Sequence, residues 1–279
     1  MKILCLHGFG TNAQIMKQQM STLFKYCDPK WKFVFLEAKL ECPPAHGAAK
    51  HPPPYLTWSR ELDPTSMRDS CDQIQKAFEE QGPFDGVFCY SLSAAVMISY
   101  LLERMIKYPD EPLPIKFGVF CAPVPMITGD LAYSESVYGS LSPEDLQRVR
   151  SADLEQLDLL PEPARTTLVT LIHAAGSLES TLCRTRKQLL DRPVEDIPCI
   201  LHPDFYPARL PIPTLHARAK NDPRILKLCG ELAEEFCDPE WRVSYKHSVV
   251  HGIPRSPAEA QEMVAAMELV ASKVQQARL

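Results

Sequence analysis

Phe84-Asp85-Gly86-Val87-Phe88-Cys89-Tyr90-Ser91-Leu92-Ser93-Ala94-Ala95 is the stretch on which the reading of this chain turns. The apolar run Gly86 to Cys89 has strand character and passes without a spacer into a helical pattern from Leu92 to Met105, with Ser91 at the joint. A turn that sharp lifts a hydroxyl clear of a sheet and aims it at a cleft, the geometry of a nucleophile elbow. Positions two before and two after such a serine must be small, because backbones approach closely there. The usual pattern is G-x-S-x-G; this chain has C-x-S-x-S, and Cys89 and Ser93 are both small. The competing reading is that Ser91 only caps a helix N-terminus.

Outward from this joint, strand-like and helical patterns alternate. Strands are expected at Lys2–Leu6, Lys32–Leu36, Phe84–Cys89, Phe117–Cys121, Pro213–Ala217 and Arg242–Tyr245. Helices are expected near Asn12–Tyr26, Thr65–Glu80, Leu92–Tyr108, Pro223–Phe236 and Pro257–Gln276. The strands are short and continuously apolar, as in a parallel sheet covered on both faces, so the fold class is α/β, doubly wound and mostly parallel. The rhythm breaks between Val124 and Leu210, where two or three helices are expected, one starting after Ser142-Pro143-Glu144-Asp145 and a longer one from Ala164 to Leu190. An excursion of that length is too long for a plain loop. The expected organisation is therefore a core of residues 1–123 and 211–279 with a helical cap inserted at 124–210; a decoration remote from the site is the alternative. Cys42–Tyr55, rich in proline, reads as a long surface loop.

Composition narrows the function. The chain has 279 residues, 45% hydrophobic and 23% charged, with a net charge of −5, as an ordinary globular protein does. Without a basic cluster, nucleic-acid partners are not expected. Ten cysteines without C-x-x-C pairs give no indication of a metal site, and no cofactor is implied. No apolar run reaches a membrane-spanning length, and the opening Met1-Lys2-Ile3-Leu4-Cys5-Leu6-His7-Gly8 reads as a buried strand rather than a signal peptide, so a cytoplasmic location is expected.

If Ser91 is a nucleophile, it needs a base, a group to orient that base, and donors for an oxyanion. On such folds the partners follow in the order Ser, acid, His, each after a late strand. Asp222 follows the strand Pro213–Ala217, although an aspartate before Pro223 also has the look of a helix cap. After Arg242–Tyr245 come two histidines, His247 and His251. His251 is favoured as base because its longer loop, ending at Gly252 and Pro254, gives reach; His247 is the rival. The oxyanion donors are expected to be the backbone N–H groups of Leu92, at the positive end of its helix, and Phe9, in the turn His7-Gly8-Phe9-Gly10. His7 is expected to be structural. Tyr55, Trp58 and Tyr90 are candidates to line an acyl pocket, the alternative being ordinary core aromatics.

With these pieces in place the chain resembles the fungal serine hydrolase (FSH-type) family of α/β-hydrolases, which includes the ovarian-tumour-gene-associated esterases. The resemblance is carried by Ile3-Leu4-Cys5-Leu6-His7-Gly8-Phe9-Gly10-Thr11-Asn12, by Gly82-Pro83-Phe84-Asp85-Gly86-Val87, by Ile212-Pro213-Thr214-Leu215-His216 through Asp222-Pro223, and by His247-Ser248-Val249-Val250-His251 followed by Pro254. It implies a triad of Ser91, Asp222 and His251 and hydrolysis of a carboxylic ester or thioester. It also implies a role in polyketide or other secondary metabolism, with an acyl carrier protein as a partner. The chain departs from the family's G-F-S-Q-G-A and H-x-G-G-H elements at Cys89, Leu92, Ser93 and Val249-Val250. Three readings stay open: a biosynthetic thioesterase or esterase, a general carboxylesterase or acyl transferase, and a binding protein that kept the fold but lost efficient chemistry.

Overall fold

A computed structural model describes residues 1–60, 62–178 and 185–276. Six strands form one parallel sheet: β1 (Lys2–Leu6), β2 (Lys32–Leu36), β5 (Gly86–Tyr90), β6 (Phe117–Cys121), β7 (Thr214–Ala219) and β8 (Arg242–His247). Their order is β2-β1-β5-β6-β7-β8. Alternate residues of β1 serve opposite faces, as the two-residue period of a strand requires. Leu4 and Leu6 join the larger apolar cluster, while Ile3 and Cys5 join the second. Helices α2 (Pro64–Gln81), α3 (Leu92–Lys107) and α9 (Arg224–Glu235) cover the first face, and α1 (Ala13–Gln19) and α10 (Pro257–Gln276) cover the second. The inner strands β5 and β6, and β1 after Lys2, are apolar throughout and buried on both faces, which is why they read as unbroken runs.

The order of the sheet places the site. From β1 the chain steps outward to β2, then returns to add β5 on the other side of β1. Such a reversal opens a crevice at the carboxyl ends of the two strands. The turn after β1 and the elbow after β5 both lie there.

Two segments hold more structure than the sequence reading gives. Cys42–Tyr55 is a long loop as expected, and β3 (Leu40–Glu41) and β4 (Leu56–Thr57) pair antiparallel at its base. Gly10 anchors the tip, with its N–H on Leu56 O at 3.0 Å and its carbonyl taking Ala45 N–H at 3.0 Å. Its φ of +61° and the proximity of Ala45, whose nitrogen would lie 2.2 Å from a Cβ at this position, leave glycine as the residue that fits.

Between β6 and β7 the described residues hold five helices, more than expected: α4 (Leu131–Tyr138), α5 (Pro143–Ser151), α6 (Leu154–Leu157), α7 (Ala164–Leu178) and α8 (Arg186–Leu190). Ser142 and Asp145 form the capping box at the start of α5. The single helix expected over Ala164–Leu190 is two. Residues 179–184 lie outside the described ones, and Thr185 with Gln188 forms a capping box that starts α8 afresh. Leu168, Ile172 and Leu190 belong to the same apolar cluster as Leu101 and Leu102 of α3. A buried carboxylate adds a polar tie: Glu103 of α3 accepts from Thr128 Oγ1 at 2.6 Å and from Gly129 N–H at 2.9 Å.

Candidate active site

Ser91 occupies the elbow in a conformation that few non-glycine residues adopt, φ 58° and ψ −119°. Its N–H donates to Cys121 O at 2.9 Å, fixing the turn to β6. Its side chain makes no capping hydrogen bond to α3. The helix-cap alternative therefore does not describe it. The hydroxyl instead lies 2.9 Å from His251 Nε2.

Ser93 explains how the elbow accommodates its missing glycine. Its Oγ donates to Leu6 O at 2.6 Å and accepts from Tyr90 N–H at 3.0 Å, stitching β5 and α3 to the end of β1. On the other side of the elbow Gly8 packs so closely that a Cβ there would sit 3.0 Å from the Tyr90 ring and 3.2 Å from Ser91 Cβ.

The turn after β1 is held by His7. Its Nε2 accepts from Ala38 N–H at 3.1 Å, so Nδ1 carries the proton and donates to Gly8 O at 2.8 Å. Burial lowers its pKa to about 4, keeping the ring neutral for this role. Phe9 and Leu92 both line the cavity above Ser91. Among the described residues no protein acceptor takes the N–H of either.

Asp222 is not a helix cap: the residue preceding α9 is Pro223, and the Asp222 carboxylate turns the other way. Oδ2 accepts from Ala219 N–H at 3.0 Å and Oδ1 from His251 N–H at 2.9 Å. The expected hydrogen bond from the imidazole N–H to the carboxylate is absent, and His251 Nδ1 is buried without a partner. Asp222 thus holds the backbone of His251 and acts on its ring through charge. Burial lowers the His251 pKa below its ordinary value, and the Asp222 charge opposes that shift. A neutral imidazole next to a hydroxyl can accept its proton. His251 has a φ of 40°, a second strained backbone position in the site. The rival histidine, His247, ends β8 fully buried, and its two ring nitrogens have no hydrogen-bond partner.

Tyr90 does line the cavity, and it also does more. Its hydroxyl donates to His251 O at 2.6 Å, and its ring centroid lies 5.8 Å from the imidazole. His251 is therefore gripped at both ends of its residue, N–H by Asp222 and C=O by Tyr90. The other two candidate pocket aromatics are elsewhere. Trp58 is 2% exposed and spends its Nε1–H on His7 O at 2.7 Å, so it is a core residue bracing the β1 turn. Tyr55 donates to His51 O at 2.5 Å within its own loop and is not part of the cavity wall. The insertion contributes to the wall through α7, whereas the parts played by the 41–51 segment and α1 were not legible in the sequence. The cavity, ≈ 1230 Å³, is bounded by the 41–51 segment, by α1 residues such as Ile15, and by Leu171, Ala174 and Ala175 of α7.

Among the described residues no group of three or more His, Cys, Asp or Glu is arranged to hold a metal ion. No described helix is long and apolar enough to cross a membrane.

The family model described as serine hydrolase (FSH1) matches residues 1–263. The chain belongs to this family. It is a hydrolytic enzyme built on the α/β-hydrolase fold. A serine hydrolase of Penicillium expansum, cnsH, is 40% identical over 233 residues, 83% of this chain and 95% of that protein. The esterase alnB of Emericella nidulans is 29% identical over 274 residues, 96% of this chain and 95% of that one. Among solved structures, ClbQ from the colibactin NRPS/PKS pathway aligns with a TM-score of 0.48 and 14% identity, covering 99% of this chain and 98% of that one.

Proposed function

We propose that this serine hydrolase cleaves a carboxylic ester or thioester through an acyl-enzyme on Ser91. The observation that carries the reading is the 2.9 Å contact between Ser91 Oγ and His251 Nε2 at a strained elbow facing the cavity. Ser91 Oγ attacks the acyl carbonyl while His251 Nε2 takes its proton. The oxyanion of the tetrahedral intermediate is received by the free N–H groups of Phe9 and Leu92, each such donor being worth roughly 3 kcal/mol. Collapse expels the alcohol or thiol, which leaves with the proton held on Nε2. Water then attacks the acyl-enzyme, giving its proton to His251, and the acid departs as Ser91 recovers its hydrogen. Asp222 favours the imidazolium by charge and keeps the base in place through the main chain.

The insertion at 124–210 serves as a cap, since α7 contributes apolar side chains to the cavity. The cavity has room for a sizeable acyl group, as in an acyl chain released from a polyketide-type carrier protein or a pathway ester. The elbow's departures from glycine do not argue for a disabled site, because Ser93 is absorbed into the turn by hydrogen bonds rather than by displacing it.

A fluorophosphonate probe tests the reading. Wild type is expected to be labelled at one serine and Ser91→Ala to lose both labelling and turnover. Labelling that survives in Ser91→Ala contradicts it. Comparing acyl thioesters with p-nitrophenyl esters of matched chain length separates thioesterase from general carboxylesterase activity.

A further inference from the structure

The cavity that holds Ser91 and His251 carries more positive than negative charge. Three permanent cations line it: Lys50 from the hairpin loop, Arg60 just beyond β4, and Arg255 four residues past His251. Among the described residues one carboxylate, Glu41, stands against them. Across the chain as a whole acids outnumber bases, 35 to 30, so the cavity reverses the overall sign. None of the three cations forms an ion pair among the described residues; Arg60 uses Nε on the backbone carbonyl of Glu41 at 2.9 Å. Arg255 is close enough to the site for its charge to act on Tyr90. Elsewhere the wall is apolar, with Phe9, Val124, Leu171, Ala174 and Ile253.

Unpaired cations at the rim of an apolar cavity concentrate a positive field where a ligand enters. A wall divided in this way suits a ligand that is divided too, with a hydrocarbon part and a negatively charged part. We infer that the cavity takes an acyl substrate bearing a carboxylate or phosphate besides its scissile carbonyl, and that Lys50, Arg60 and Arg255 hold this anionic group. The inference rests on the hydrolytic reading above and specifies its substrate class.

Two matched comparisons of kcat/KM test it. The first sets the p-nitrophenyl monoester of suberic acid, an anion, against its neutral p-nitrophenyl methyl diester. The second sets a coenzyme A thioester against the N-acetylcysteamine thioester of the same neutral acyl group. At low ionic strength the anionic member of at least one pair is expected to be favoured about tenfold, as three partly exposed charge contacts allow. That preference is expected to shrink as sodium chloride is raised. Preference in the first pair places the anion on the acyl chain, and preference in the second places it on the leaving group. In the triple variant Lys50→Gln, Arg60→Gln, Arg255→Gln the ratio is expected to fall toward one. Equal kcat/KM within both pairs, independent of salt, overturns the anion site while leaving the hydrolytic reading standing. No turnover on any of the four, with no fluorophosphonate labelling of Ser91, overturns both.

Discussion

The elbow at Ser91 and the loop at His251 each hold a residue at positive φ, but by different means. Around Ser91 the constraint is mostly main chain and close packing: β5 lies between β1 and β6, Ser91 N–H is tied to Cys121 O, and Gly8 leaves no free space. His251 follows the last strand of the sheet, at its edge. Two side chains from other segments, Asp222 and Tyr90, hold its backbone, and Cys121 Sγ adds a 3.4 Å contact to Gly252 O. The proposed nucleophile is thus built into the fold, whereas the proposed base is attached to it. Substitutions at the clamp should therefore change chemistry more than stability, and those within the elbow the reverse.

With Ser91 and His251 left in place, the strongest expected effect comes from Asp222→Asn. The amide keeps one acceptor but loses the charge and one hydrogen-bonding oxygen, so kcat/KM should fall roughly a hundredfold, as for a slightly misplaced catalytic group. The pH profile carries the sharper signature. Neutral His251 is the active form, and its pKa lies below the ordinary 6.5 because burial outweighs the Asp222 charge. Activity should therefore be lost on acidification through a limb below pH 6.5. Removing the charge that raises this pKa should move the limb lower still. A limb that stays in place would separate Asp222 from the imidazole.

Tyr90→Phe comes next. It removes the grip on His251 O while keeping the ring, so kcat should drop by up to about tenfold with KM little changed, as expected for one lost hydrogen bond to a buried carbonyl. An unchanged kcat would mean that Asp222 suffices to place the base. The smallest kinetic effect belongs to Ser93→Ala. Leaving Leu6 O and Tyr90 N–H without this hydroxyl should cost about 1–3 kcal/mol in denaturant unfolding, with kcat within a few fold of wild type. A large loss of kcat with unchanged stability would invert the contrast between elbow and clamp.

The same contrast governs what could be read from the sequence. Strands β1, β2 and β6 were legible to the residue because each is a short apolar run, and β1 and β6 are apolar because both faces are covered. The elbow was legible because a strand meeting a helix without a spacer has few solutions. Asp222 and His251 were legible as positions in a chain order, but not in their contacts. Whether a carboxylate meets a ring nitrogen or a backbone N–H depends on loop conformation, which leaves no periodic trace. Trp58 and Tyr55 misled for a related reason: an aromatic looks the same in sequence whether it faces a cavity or braces a turn. The β3–β4 hairpin, two residues per strand, is too short for alternation to register. In the insertion, the α7–α8 division depended on the capping box at Thr185, which is weaker than the apolar run around it.

The account stands on His251 as the base of Ser91, and the rate of fluorophosphonate labelling tests this most directly. With His251→Ala and His247→Ala compared under conditions where both are folded, His251→Ala should lose labelling and His247→Ala should retain it. Retention by His251→Ala with loss by His247→Ala would contradict the account.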